Sequence, residues 1–307
     1  MKELEIINTI KNILNSEFIG DDCAYLKDLG IVVTQDSLVE DIHFSRKFST
    51  PFQLGYKSIA VNLSDIYASG AEAKYLTVSL SLPKNIENNF VEEFYKGAKS
   101  ALNSAKIVGG DITGADKIYI SVTAIGSAKD RKISSRKNAQ KGYKIITNGL
   151  HGSSSAGLYI LQNNIEGYET LKNEHLMPYV SSKLSDSIAK TAKFNYAMMD
   201  SSDGLMDALF KIADNSNVKA KIYFNKIPYD KSIENFDYKN MIFYGGEDYK
   251  LVCAISPDDL NNIDNNLYYE IGEIIEKTDD NIVEIQCEKE IKTFTKKDIE
   301  KNLFKHF

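Results

Sequence analysis

The sequence predicts an α/β protein of about two domains, and three observations carry that expectation. Short β-branched or alternating runs recur between amphipathic helical stretches along the chain. At 307 residues the chain has room for about two domains of 100–200 residues each. A polar, lysine-rich stretch over 127–142 separates two such series and sets the expected domains at 1–130 and 131–307.

The elements follow in order. Residues 2–16 carry Leu4, Ile6, Ile7, Ile10, Ile13 and Leu14 at helical spacing, which predicts a helix with one buried face. Ile31-Val32-Val33 opens a buried strand ending in Thr34, Gln35 and Asp36, so a hydroxyl and a carboxylate reach the mouth of a sheet. Over 53–68 the pattern is a helix with Leu54, Ile59, Leu63 and Ile66 inward, and Asn62 and Asp65 share one face at i,i+3. A strand over 74–82 and a second amphipathic helix over 87–105, containing Phe94 and Tyr95, come next. A short strand over 106–108 runs into Gly109-Gly110-Asp111, and a strand over 117–126 closes the series. Beyond the boundary, strands are predicted over 143–147, 219–224, 250–255, 267–271 and 282–285. Helices are predicted after the glycine-serine run at 149–157, over 183–194, through 213, and at the end of the chain. The glycine-serine run is not G-x-x-x-x-G-K-[ST], so it is expected to serve strand-to-helix packing.

Composition excludes several classes. No apolar run approaches the roughly 20 residues that span a bilayer, and the charged start is unlike a signal peptide, so a cytoplasmic protein is expected. Cys23, Cys253 and Cys287 lie far apart, giving no zinc or disulfide pattern; they are expected to be core residues. The net charge of −6 and the absence of a basic stripe argue against nucleic acid as a partner. A protein this acidic that handles phosphates needs cations to do so.

Asp22, Asp36, Asp65, Asp111, Asp200 and Asp203 each follow or interrupt an apolar element. Asp21 and Asp22 are adjacent and repel, so a cation or a helix N-terminus is expected beside them. Met199-Asp200-Ser201-Ser202-Asp203-Gly204 puts two carboxylates and two hydroxyls at the start of a helix. No His/Cys cluster competes, and an oxygen-only ligand set points to Mg²⁺. If the acids converge, a polyphosphate could enter only with several Mg²⁺ ions, which favours nucleotide phosphoryl transfer. A Mg²⁺-dependent phosphohydrolase and a non-catalytic Ca²⁺-binding module remain open; the scatter of the acids along the chain disfavours the module.

Seven motifs in register carry a family resemblance. They are G-D-D-C-A at 20–24, T-Q-D-S-L-V-E-D-I-H-F at 34–44, A-V-N-L-S-D at 60–65, G-G-D at 109–111, S-R at 135–136, M-D-S-S-D-G-L at 199–205 and G-G-E-D-Y at 245–249. With these the chain resembles the thiamine-monophosphate kinase family, within the superfamily of aminoimidazole ribonucleotide synthetase. The resemblance implies an α+β N-terminal domain with a mixed sheet, pairing with a second subunit as a homodimer, and a C-terminal α/β domain beside it. It implies ATP as co-substrate, thiamine monophosphate as acceptor, and several Mg²⁺ ions. Matched residue by residue, it places Asp22, Thr34, Gln35, Asp36, Asp65, Asp111, Asp200 and Asp203 at metal positions, with Asp65, Asp111, Asp200 and Asp203 central to catalysis. It places Tyr95, Gly110, Asp111, Arg136 and Ser202 against ATP, and His43, Glu247 and Phe304 against thiamine monophosphate. Gln35 departs from the threonine common in the family, and Gly152-Ser153-Ser154-Ser155-Ala156-Gly157 lacks the family's aspartate.

Overall fold

A computed structural model describes residues 3–288 and 290–303; Phe304 lies outside the described residues. Helix α1 (Glu3–Leu14) leads into a short strand β1 (Ala24–Leu26) and then β2 (Ile31–Val39). Helix α1 forms where its spacing predicts, but the apolar face is not covered: Ile10, Ile13 and Leu14 are 42%, 76% and 65% exposed. The expected buried face is therefore corrected, because among the described residues no element packs over that stripe.

Helix α2 (Pro51–Ala68) begins with a reciprocal cap, in which the Thr50 side chain accepts from Gln53 N and the Gln53 side chain accepts from Thr50 N, with Pro51 in the first turn. It is followed by β3 (Glu72–Leu82), α3 (Phe90–Ala101), β4 (Lys106–Gly114) and β5 (Tyr119–Ser127). The five strands form a sheet in the order β1-β2-β5-β3-β4, antiparallel except for the β3–β4 pair. Helices α2 and α3 cross at two glycines: a Cβ on Gly55 would lie 1.8 Å from Phe94 O, and one on Gly97 would lie 1.8 Å from Phe52 O. Only glycine at both positions lets the backbones meet. Strand β4 is longer than predicted and includes Gly109, Gly110 and Asp111. Gly110 is required there by packing, since its Cβ would meet Val78 O at 1.9 Å.

The second half contributes β6 (Lys144–Thr147), α4 (Ser153–Gln162), α5 (Glu169–Leu176), α6 (Lys183–Thr191), β7 (Ala197–Asp200), α7 (Leu205–Ser216) and β8 (Lys219–Tyr223). Then come α8 (Tyr238–Tyr244), β9 (Leu251–Ile255), α9 (Pro257–Leu260), β10 (Tyr269–Ile275), β11 (Asn281–Cys287), β12 (Glu290–Thr295) and α10 (Lys296–Asn302). Seven strands form a second mixed sheet in the order β12-β11-β8-β10-β6-β9-β7. Helix α5 and strand β12 escape the sequence pattern, α5 because eight residues give little periodicity and β12 because a half-charged edge strand lacks an apolar run.

Two apolar cores result. One joins the first sheet, α2 and α3 to one side of the second sheet through Tyr196, Met198, Leu251 and Cys253; the other fills the space between that sheet's opposite face and α4, α7 and α8. The shared core fixes α2 against β7, so residues 136 positions apart in sequence can meet. No described helix is long and apolar enough to cross a membrane.

Candidate active site

Asp22, Asp65 and Asp200 converge, with one carboxylate oxygen from each lying within 4.8 Å of the others. They arrive from the loop before β1, from α2 and from the end of β7. Thr34 Oγ1 donates to Asp65 Oδ2 at 2.6 Å, and Ser64 Oγ donates to Asp200 Oδ2 at 2.6 Å. Asn62 Oδ1 accepts from Asp36 N at 3.1 Å, which joins β2 to α2 beside the cluster. Asn62 and Asp65, expected on one face of the helix, take different roles: one fixes the strand and the other enters the acid cluster.

Burial drives the electrostatics. Asp200 is pushed up to about 7 by burial, with the Asp22 charge adding to it. Asp36 rises to about 6 by burial and by Asp203 and Asp22. Asp65 lies well above the usual carboxylate range through burial and the neighbouring Asp36, Asp200 and Asp22. Asp22 is also raised by burial, although Arg136 Nη2 donates to its Oδ1 at 2.5 Å. The adjacent Asp21 accepts from Arg136 N and Ser135 Oγ at 2.8 and 2.9 Å. The two acids thus receive the cation and backbone partner that their adjacency requires. A cluster of carboxylates whose acidity is suppressed by burial and then by mutual repulsion, and whose free donor atoms are all hard oxygens, fits a divalent cation of the Mg²⁺ class.

A second group lies beside this one. Glu247 sits at φ +67°, with its N–H donating to Ser202 O at 2.6 Å. Glu247 Oε1 pairs with Lys57 Nζ at 3.0 Å, and His175 Nδ1 lies 3.3 Å from Glu247 Oε2. Burial opposes ionisation of Glu247 most strongly, yet the charge and hydrogen bond of Lys57, with His175 beside it, together hold the carboxyl below its usual range. His43, whose Nδ1 accepts from Val39 N at 3.1 Å, lies close enough to add to that effect. Lys57 and His175 were missed from sequence. The available signal was a lysine on the inward stripe of α2, with Ala60, Val61 and Ser64 at i+3, i+4 and i+7.

The remaining residues are placed as follows. Asp203 is half exposed and pairs with Lys211 Nζ at 3.2 Å; Lys211 also pairs with Asp207 at 2.7 Å. Ser202 N donates to Asp200 Oδ1 at 3.4 Å. Gln35 projects to the opposite face of β2 from Thr34 and Asp36, and its side chain accepts from Thr123 Oγ1 at 2.9 Å, so that side chain does not join the acids. Asp36, Val122, Val78 and Gly110 form one row across the sheet, so Gly110 and Asp111 stand about 14 Å from Asp36, three strand spacings away. Within one chain Asp111 does not meet the cluster, and Tyr95 is on α3, edge-on to Phe94. The glycine-serine run serves packing: Asp248 accepts from Gly152 N and Ser154 N at 2.6 and 2.9 Å, occupying the start of α4.

Fold and site define a class: two-sheet α/β proteins with a buried acid cluster, related to AIR synthase. Residues 20–128 match the family described as AIR synthase related protein, N-terminal domain. The HypE hydrogenase maturation protein in complex with ATP is 17% identical at a TM-score of 0.71, which shows the fold alone. The thiamine-monophosphate kinase of Aquifex aeolicus is 36% identical over 264 residues, covering 81% of this chain and 84% of that one. The thiamine-monophosphate kinase of Bacillus subtilis is 32% identical over 280 residues, covering 84% and 85%. A solved structure described as AaThiL complexed with AMPPCP and TMP has a TM-score of 0.86 at 31% identity, covering 100% of this chain and 97% of that one. The chain belongs to the thiamine-monophosphate kinase family.

Proposed function

We propose that the protein transfers the γ-phosphoryl group of ATP to the phosphate of thiamine monophosphate, giving thiamine diphosphate and ADP. The observation that carries this reading is the convergence of Asp22, Asp65 and Asp200, joined to the family membership. A similar structure that holds AMPPCP and TMP supports the choice of donor and acceptor. An oxygen of the acceptor phosphate attacks the γ-phosphorus in line, and the bond to the β-phosphate oxygen breaks, leaving ADP. With a second pKa of about 6 the acceptor is already largely ionised near neutrality, so no strong general base is needed.

Mg²⁺, held by Asp22, Asp36, Asp65, Asp200 and Asp203 with Thr34 beside them, would neutralise the charge between two phosphate groups that otherwise repel. Arg136 keeps a buried Nε without a hydrogen-bond partner, a donor left for a phosphate oxygen. Ser202 lies at the rim of the acid cluster, within reach of the same phosphates. His43 and Glu247 would orient the vitamin, and Phe304 is a further residue assigned to holding it. Asp111, Gly110 and Tyr95 would reach the nucleotide from the second subunit of a homodimer. The edge strand β4, with Val108 and Ile112 58% and 63% exposed, is the surface for that pairing. We assign the domains to 1–130 and 131–307, and the working compartment to the cytoplasm.

The test is a Mg²⁺-dependent assay with ATP and thiamine monophosphate, resolving thiamine diphosphate and ADP, with free thiamine as control acceptor. Equal amounts of both products, and none from free thiamine, are expected. ADP and free phosphate without thiamine diphosphate would reject the acceptor and favour a hydrolase.

A further inference from the structure

We infer that Lys57 and His175 are positioning residues for the vitamin: they act through Glu247, fixing its carboxylate as an oriented, ionised acceptor beside the acid cluster. The inference rests on the functional reading above, in which Glu247 faces thiamine monophosphate.

The geometry carries it. Glu247 is reached from two different helices, each engaging a different oxygen. Lys57, 3% exposed on α2, takes Oε1 at 3.0 Å, and His175, 3% exposed on α5, approaches Oε2 at 3.3 Å. His175 Nδ1 also lies 3.1 Å from Ser154 Oγ at the start of α4, so the array runs Ser154, His175, Glu247, Lys57. Burial and the Lys57 charge push His175 down to about 4, so its ring is neutral near pH 7 and its Nδ1 faces Glu247 Oε2 as a polar neighbour rather than as a counter-charge. A proton on Nδ1 is the tautomer that suits a carboxylate neighbour.

With two partners on two oxygens, the plane of the carboxylate is set by rigid elements rather than by its own loop. That loop needs such support, because Glu247 and Tyr249 both hold positive φ and Gly246 is pressed against Ser202 O, where a Cβ would lie at 2.8 Å. The Glu247 side chain is still 25% exposed, the only partly open member of the Lys57, His175 and Glu247 group. An ionised carboxylate can only accept, so the ligand group it holds must be an N–H donor or a cationic ring. Thiamine monophosphate offers both, as an amino-pyrimidine and a thiazolium. Such a contact gives binding and orientation rather than bond making, so its loss should appear in KM for the vitamin.

The experiment is a double-mutant cycle with Lys57→Met, Glu247→Gln and the double variant, plus Lys57→Arg and His175→Gln. Turnover and calorimetric binding of thiamine monophosphate are measured at saturating Mg²⁺, with a melting curve for each variant. Removing one partner of a buried charge pair predicts that Lys57→Met raises KM for thiamine monophosphate about 30-fold. The kcat should stay within about twofold and KM for ATP should not move. Lys57→Arg should recover most of the loss, and His175→Gln should cost less than Lys57→Met. The double variant should bind no worse than Glu247→Gln alone, because Lys57 acts through Glu247. Because Lys57→Met leaves a buried carboxylate unpaired and could unfold, the double variant and Lys57→Arg keep the test readable. Additive losses in the double variant, or a fall in kcat with KM for thiamine monophosphate unchanged, would overturn the inference while leaving the functional reading standing. A wild-type protein that neither binds nor phosphorylates thiamine monophosphate would overturn both.

Discussion

Two groups of buried acids lie side by side in this protein, and they are balanced in opposite ways. In the first, burial raises the carboxyls of Asp22, Asp36, Asp65 and Asp200, their mutual repulsion raises them further, and Arg136 is too little to offset both. In the second, burial also opposes ionisation of Glu247, yet Lys57 and His175 beside it hold its carboxyl below the usual range. The difference is whether the chain supplies the counter-charge itself. Where it does, the carboxylate is ionised on the protein's own charges; where it does not, the carboxylates are left with oxygens suited to an added cation.

The sharpest way to break that comparison is to neutralise one acid in each group. Asp65→Asn or Asp200→Asn should reduce turnover by about a thousandfold or more, as expected when charge stabilisation at the reacting phosphates is lost. In the absence of metal these variants should melt no lower than wild type, because a repelling charge has been removed. Glu247→Gln should instead lower the melting point, since it leaves Lys57 buried without its partner. Parallel melting shifts in the two groups would contradict the contrast drawn above.

A smaller effect is expected one layer out. Ser64→Ala removes the hydroxyl that orients Asp200 and should weaken Mg²⁺ activation about tenfold, with the fold retained. A titration of activity against Mg²⁺ measures this; an unchanged midpoint would mean that Ser64 only fills space.

The smallest effect is on stability against pH. An acid whose folded pKa lies above its unfolded one is protonated preferentially in the folded state, so its contribution is present at low pH and lost as pH rises. For Asp36 near 6 and Asp200 near 7, the loss falls between about pH 4 and 7. Metal-free protein should therefore melt several degrees, about 5 °C, lower at pH 8 than at pH 5.5. Mg²⁺ should raise the melting point more at pH 8 than at pH 5.5, and calorimetry with and without chelator checks both. His175, held down to about 4 by burial and the Lys57 charge, acts in the opposite sense: the unfolded chain binds its proton first, so its contribution grows as pH rises from about 4 to 6.5 and offsets part of that loss.

The first group was legible in the sequence because its members sit in short motifs at the ends of elements, where glycines and paired acids stand out. Asp22 and Asp200 follow that pattern, Asp65 is marked instead by its i,i+3 relation to Asn62 within α2, and the structure brings the three together. The second group was half legible. His43 and Glu247 were marked only by resemblance, while Lys57 reads as one more surface lysine unless its place on the inward stripe of α2 is counted. His175 sits on α5, a helix too short to announce itself. Periodicity misled in two places. The apolar stripe of α1 is real but uncovered, and Gly109-Gly110-Asp111 continues a strand instead of ending one, because glycine there answers to the crowding of Val78. Patterns report which side chains prefer to be buried, not whether another element is present to bury them.

Helix α2 serves both groups. Lys57 and Asp65 are eight residues apart on it, about 12 Å at 1.5 Å per residue, and the glycine contact with α3 stops the helix from sliding. It is a ruler between the Glu247 array and the acid cluster. One residue inserted between Lys57 and Asp65 would turn one end relative to the other by about 100° and lengthen the span by about 1.5 Å. Such a change would move either Lys57 off Glu247 or Asp65 off Thr34, so the two groups could not both stay in place on one helix.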